Sequence, residues 1–137
     1  MPPTVFADAF YWLALARPRD LWHAAAKHWS AAKPSTGLVT TDEVLTEVLN
    51  ALAGTGPIGR VYAAATIHDI RNDARVVVLP QTRTQFDAAL ALYEARPDKG
   101  YSLIDCRSML AMKDLGLTAV LTHDHHFTQE GFTILFP

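Results

Sequence analysis

The sequence predicts an α/β fold: a mainly parallel sheet covered by helices on both faces. Three observations carry that prediction. Short apolar runs recur at residues 4–7, 37–40, 75–79, 118–122 and 132–136, the pattern of strands buried on both faces. Longer segments with apolar residues at helical spacing lie between most of them. The connections are short, so strand, helix and strand succeed one another as in crossover units. With 137 residues and 50% hydrophobic content, the chain is expected to form one domain over residues 1–137 around one sizeable core.

Thr4-Val5-Phe6-Ala7 is the first strand, stopped by the polar Asp8. Residues 9–16 are helical in composition and end before Arg17-Pro18, because proline disfavours helix in the residue before it. Asp20 can cap a second helix over residues 21–33, stopped by Pro34, with Trp22, Ala25, Ala26 and Trp29 packing inward. Residues 37–40 form the second strand. Thr40 and Glu43 then match a capping box for a helix buried along Val44, Leu45, Val48, Leu49 and Leu52. Residues 58–72 read as another amphipathic helix, and residues 75–79, β-branched and closed by Pro80, as the clearest strand. Residues 82–96 return to helix, with Phe86, Ala89, Leu90 and Tyr93 on one side. A turn at residues 97–100 leads to a helix capped by Ser102 and Asp105, with Leu103, Cys106, Met109, Leu110 and Met112 buried and Gly116 as its C-cap. Strands at 118–122 and 132–136 flank an acidic loop and complete the five.

Composition narrows the function classes. The formal charge is −2, so no global basic field advertises nucleic acid; a substrate phosphate needs a local patch or a metal ion. Cys106 is the only cysteine, which forbids an internal disulfide and favours a reducing compartment. No basic-then-apolar leader precedes the first strand, and no apolar run approaches the roughly 18 residues of a membrane helix. A cytoplasmic protein without membrane contact is expected.

The chemistry is expected from acids. Asp8 and Asp124 each follow an apolar strand, Asp105 lies in the first turn of a helix, and Glu47 lies about two turns into another. In a doubly wound α/β fold all four approach the rim outside the carboxyl ends of the strands. Gathered carboxylates repel and raise one another's pKa. Hydrated Mg²⁺ or Mn²⁺ removes that penalty while accepting carboxylate, water and phosphate oxygens, and can assist in-line attack on a phosphodiester. Each acid also has a plainer reading: Asp8 and Asp105 as helix caps, Glu47 as a solvated residue, Asp124 as a turn residue. Glu43 reads as a cap, yet periodicity puts Glu43 and Glu47 on one side of their helix and does not choose between them. Asp98 is a loop charge close enough in sequence to support the cluster. His123, His125 and His126 with Asp124 raise a zinc site, but no Cys or His pair elsewhere answers them. Arg17, Arg19, Lys27 and Lys33 form a basic segment able to hold an RNA backbone or simply to stay solvated. Trp12, Trp22 and Trp29 suit core packing better than base stacking, and Cys106 a buried site better than a nucleophile.

Taken in order, V-F-A-Asp8, T-T-x-x-V-L-x-Glu47, S-L-I-Asp105-C and L-T-H-Asp124-H-H-F followed by G-F resemble a PIN domain, and the segments around Asp105 and Asp124 are similar to those of VapC-type toxins. The resemblance covers essentially the whole chain. It implies an α/β/α sandwich with a five-stranded parallel sheet and a Mg²⁺- or Mn²⁺-dependent ribonuclease. It puts the catalytic acids on Asp8, Glu47, Asp105 and Asp124, with Asp8, Asp105 and Asp124 on the metal. It also implies that Glu47 binds metal or positions water, and that Thr122 hydrogen-bonds a carboxylate or water. The partners it implies are RNA, a small antitoxin and a second copy of the chain. A non-toxin PIN protein that processes or binds RNA is the alternative. A receiver-like signalling module is the other class, but its aspartate after the middle strand and lysine after the last have no counterpart at Pro80-Gln81 or after residue 136.

Overall fold

The computed structural model describes residues 4–137. Its strands β1 (Thr4–Ala7), β2 (Gly37–Thr41), β3 (Val76–Leu79), β4 (Ala119–Leu121) and β5 (Thr133–Ile134) form one sheet in the order β3-β2-β1-β4-β5, every pairing parallel. The helices are α1 (Ala9–Ala16), α2 (His23–Ala32), α3 (Asp42–Ala51), α4 (Gly56–Asn72), α5 (Arg83–Ala95), α6 (Leu103–Leu115) and α7 (His126–Gln129). They flank the sheet in a three-layer α/β/α sandwich, as the alternation of patterns predicts. The central strands β1 and β4 carry the fully buried Phe6, Ala7, Val120 and Leu121, because a strand covered on both faces has no polar side.

Several boundaries differ from the sequence reading, each for a local reason. Thr41, not Thr40, caps α3: its Oγ1 accepts from the Val44 amide at 3.1 Å. Thr40 is still in the strand, donating to the Ala7 carbonyl at 2.9 Å and accepting from Trp12 Nε1 at 3.4 Å. Helix α2 starts at His23 rather than 21, because Asp20 Oδ1 accepts from the Trp22 amide in a preceding turn. Ala25 and Leu49, expected to be inward, are exposed, as are Leu90 and Tyr93 on α5. Helix α4 begins at Gly56, with proline in its first turn where no donor is missed. The acidic loop contains the short α7, and β5 is shorter than expected because the chain bends at Leu135; the next carbonyl, that of Phe136, accepts from His123 Nδ1 at 2.7 Å. The α6 reading holds in detail, with a reciprocal Ser102–Asp105 capping box and Gly116 at φ 68° ending the helix.

Candidate active site

Chain order departs from β1 in both directions across the sheet, to β2 and β3 on one side and to β4 and β5 on the other. A crevice therefore opens at the carboxyl ends of β1 and β4. Ala7 pairs with Leu121, so the next residues, Asp8 and Thr122, leave the sheet side by side. Thr122 Oγ1 donates to Asp8 Oδ2 at 2.9 Å and accepts from the Asp124 amide at 3.1 Å. One hydroxyl thus ties the two strand ends together across 114 residues of chain.

Asp8 is 7% exposed and makes no side-chain cap to α1, so the plainer cap reading does not apply to it. Burial pushes its pKa up to about 7; the charges of Glu47 and Asp105 add to the rise, while the Thr122 hydroxyl and the Ala9 amide oppose it. Glu47, on α3, is raised by burial and then by Asp105 and Asp124. Asp105 is raised by burial and by Asp124, against the hydrogen bonds of Ser102. Its capping role and its place among the acids coexist: Oδ2 accepts from the Ser102 amide at 3.0 Å and lies 3.6 Å from His126 Nδ1. Asp124 Oδ1 accepts from the His126 amide at 2.9 Å and stands 3.3 Å from His126 Nδ1. Each of Asp8, Glu47 and Asp105 therefore feels other members of one acidic pocket, although they come from separate elements.

The donor set suits a hard divalent cation. Three carboxyls with raised pKa favour an ion that restores their charged forms. Ligand atoms of Asp105, Asp124 and His126 all lie within 4.8 Å of one another. His126 Nδ1 is also a buried polar atom without a hydrogen-bond partner.

Other candidates are placed elsewhere. Glu43 is bound by Arg107, Nε to Oε2 at 2.8 Å, with side-chain exposures of 13% and 5%. The two acids of α3 left open by periodicity are thus separated by their partners. Arg107 escaped the sequence reading; the available signal was a lone charge four residues from Leu103 in a stripe of apolar residues. Asp98 is exposed and pairs with Lys99 at 3.8 Å. The three histidines do not converge as a zinc cluster. His123 is held by the Phe136 carbonyl and packs against Trp22 and Phe10, whereas His125 packs edge-on against His123. Trp12, Trp22 and Trp29 pack against Tyr11, Phe10 and Tyr11 respectively. Cys106 is fully buried, and burial raises its thiol pKa. Arg17 donates to the Ala51 carbonyl at 3.4 Å and, with Arg19, lines a groove beside Leu52 and Tyr62; Lys27 is exposed on α2.

A parallel sandwich with acids at its switch point is the architecture of a PIN domain, and the PIN domain model matches residues 5–132. The chain belongs to that family. It is 29% identical over 134 residues to the 23S rRNA-specific endonuclease VapC20 of Mycobacterium tuberculosis, covering 97% of this chain and 98% of the relative. Among solved structures it matches that organism's VapC20, described as a sarcin-ricin loop cleaving toxin, with TM-score 0.83 and 27% identity over 94% of this chain and 96% of the other. PAE2754 from Pyrobaculum aerophilum matches with TM-score 0.61 and 21% identity, over 98% and 92% of the two chains. FitAcB from Neisseria gonorrhoeae matches with TM-score 0.62 and 13% identity, over 95% of each. These last two share the fold alone.

Proposed function

We propose that this chain is a divalent-metal-dependent endoribonuclease that hydrolyses RNA phosphodiester bonds, acting as the toxin of a toxin–antitoxin pair. The observation that carries the proposal is the convergence of Asp8, Glu47, Asp105 and Asp124 at the β1–β4 crevice. Burial and mutual repulsion there raise the pKa of Asp8 to about 7 and raise Glu47 and Asp105 as well. The likeness to VapC20 supports ribosomal RNA as the first substrate to test.

In this reading Asp8, Asp105 and Asp124 hold Mg²⁺ or Mn²⁺. When bound, the ion supplies charge neutralisation at the scissile phosphate and activation of water. Glu47 positions the attacking water and accepts its proton; a raised pKa suits a general base. Thr122 fixes one oxygen of Asp8 and so orients the carboxylate for the ion. No serine, cysteine or histidine nucleophile is required. Arg17, Arg19 and Lys27 are proposed to meet the RNA backbone, and Asp98 to act at most through the loop before Tyr101.

The toxin reading carries two protein partners, a small antitoxin and a second copy of the chain. Exposed apolar side chains offer area for both. Ile58, Val61 and Tyr62 are 88%, 70% and 55% exposed at helical spacing on α4, and Leu90 and Tyr93 are exposed on α5. No helix among the described residues is long and apolar enough to cross a membrane.

The deciding experiment is cleavage of a sarcin-ricin loop oligonucleotide and an unrelated hairpin, with Mg²⁺ or Mn²⁺ and with chelator, by wild type and Asp8→Asn side by side. Metal-dependent strand scission that Asp8→Asn abolishes is expected. Equal cleavage by both proteins, or cleavage in chelator, would overturn the proposal.

A further inference from the structure

His126 is held unusually firmly for a side chain at a pocket rim. The Tyr101 ring packs edge-on against it at 5.3 Å. Tyr101 is itself pinned, its hydroxyl donating to Glu130 Oε2 at 3.0 Å, and Glu130 pairs with Arg96 at 3.2 Å. The ring is also close to Gly100, where a Cβ would stand 3.9 Å from Nε2. This packing turns Nδ1 toward the acids, where it is buried and lacks a hydrogen-bond partner. Its neighbours are Asp124 Oδ1 at 3.3 Å and Asp105 Oδ2 at 3.6 Å. Around a six-coordinate ion with bonds of about 2.1 Å, adjacent donors stand roughly 3 Å apart. The nitrogen stands near that spacing from both oxygens, and ligand atoms of all three residues lie within 4.8 Å of one another.

We propose that His126 Nδ1 is a nitrogen ligand of the divalent ion held by Asp105 and Asp124, and that it biases the site toward Mn²⁺ over Mg²⁺. The proposal rests on the reading of the acidic pocket as a metal site and specifies its chemistry further. Mg²⁺ favours oxygen donors and keeps its waters, whereas imidazole suits transition-metal ions. A ligating Nδ1 must be free of its proton, so the ring carries hydrogen on Nε2. The Arg96–Glu130–Tyr101 chain is then the support that fixes the ligand's direction, as outer residues of metal sites do. Among the histidines of this stretch only His126 is grouped with ligand atoms of Asp105 and Asp124, while His123 Nδ1 is bonded to the Phe136 carbonyl.

The test is pulsed electron paramagnetic resonance of Mn²⁺ bound to the whole protein. The wild type is expected to show ¹⁴N modulation from a directly bound nitrogen, replaced by the ¹⁵N pattern when the protein is grown on ¹⁵N-histidine. His126→Gln should lose the modulation and bind Mn²⁺ on the order of 10- to 100-fold more weakly, while Mg²⁺ affinity changes by less than about 3-fold. His125→Gln should leave both unchanged. Bound Mn²⁺ without histidine modulation, or an equal loss of Mg²⁺ and Mn²⁺ affinity, would sink the ligand role and leave the acidic site standing. Failure of the wild type to bind Mn²⁺, or binding that survives Asp105→Asn, would overturn the site itself. Should His126→Gln not fold, the isotope comparison on the wild type decides alone.

Discussion

At the scale of single residues, Asp8 combines the deepest burial of the four acids with the clearest energetic signature. Its folded-state pKa of about 7 exceeds the ordinary 3.8, so between those values the folded protein binds more protons than the unfolded chain. Stability of the metal-free protein must then fall as pH rises from about 4 to 7 and level off above, with Glu47 and Asp105 contributing in the same direction. Asp8→Asn removes most of that slope. Thermal melts in chelator are expected to show the variant more stable than wild type by a few kcal/mol at pH 8 and little different at pH 4; parallel curves would contradict the desolvated carboxylate. Thr122→Val takes away the hydroxyl that stabilises charged Asp8. It should cost about 1.5–3 kcal/mol in urea unfolding at pH 8 and weaken metal binding, with a smaller stability cost at pH 4. The pairing of these two residues was legible in part: an acid and a small hydroxyl each directly follow an apolar run. Strand register, which puts them opposite one another, was not. It depends on which strands are neighbours, and no local pattern specifies that.

At the scale of elements, α3 and α6 are joined by a buried charge pair, whose Arg107 also donates to the Pro80 carbonyl at 3.4 Å. Arg107 and Glu43 are both mostly buried, and Glu43 Oε1 has no hydrogen-bond partner. Arg107→Ala should destabilise by about 3–5 kcal/mol, because it abandons a buried carboxylate, whereas Arg107→Met with Glu43→Gln should recover most of the loss. Chemical denaturation of the single and double variants checks this; additive losses would show that the pair does not matter as a pair. The same contact explains why periodicity could not rank Glu43 against Glu47. One turn apart on a helix, they share a side in sequence, and a partner 64 residues away decides which of them is neutralised. Helix ends were easier. The box at Ser102 and the glycine at 116 are local chemistry, readable without knowing the neighbours, whereas Thr40 and Thr41 both look like caps until the sheet claims the first.

For the molecule as a whole, alternation of apolar runs and helical segments was enough to specify the sandwich, because a strand buried on both faces and a one-sided helix leave few ways to bury their surfaces. The short α7 had no periodic signal, so nothing in the pattern said that His126 would stand among the acids while His123 and His125 pack against each other. Whole-molecule stability should report the site. Saturating Mn²⁺ at 100 times its dissociation constant adds about 2.7 kcal/mol, a rise in Tm of roughly 10 °C for a domain of this size. Calorimetry with and without metal should find that rise in wild type and lose it in Asp105→Asn.

The bond from Thr122 to Asp8 also dictates when the pocket can exist. During synthesis Asp8 and Glu47 emerge early, but Thr122, which closes the crevice with Asp124, follows 114 residues after Asp8. Until that segment has left the ribosome and docked beside β1, the growing protein holds a scattered set of carboxylates rather than a pocket. The pocket is therefore assembled only after β4 has taken its place beside β1, and a nascent chain that stops short of β4 has none.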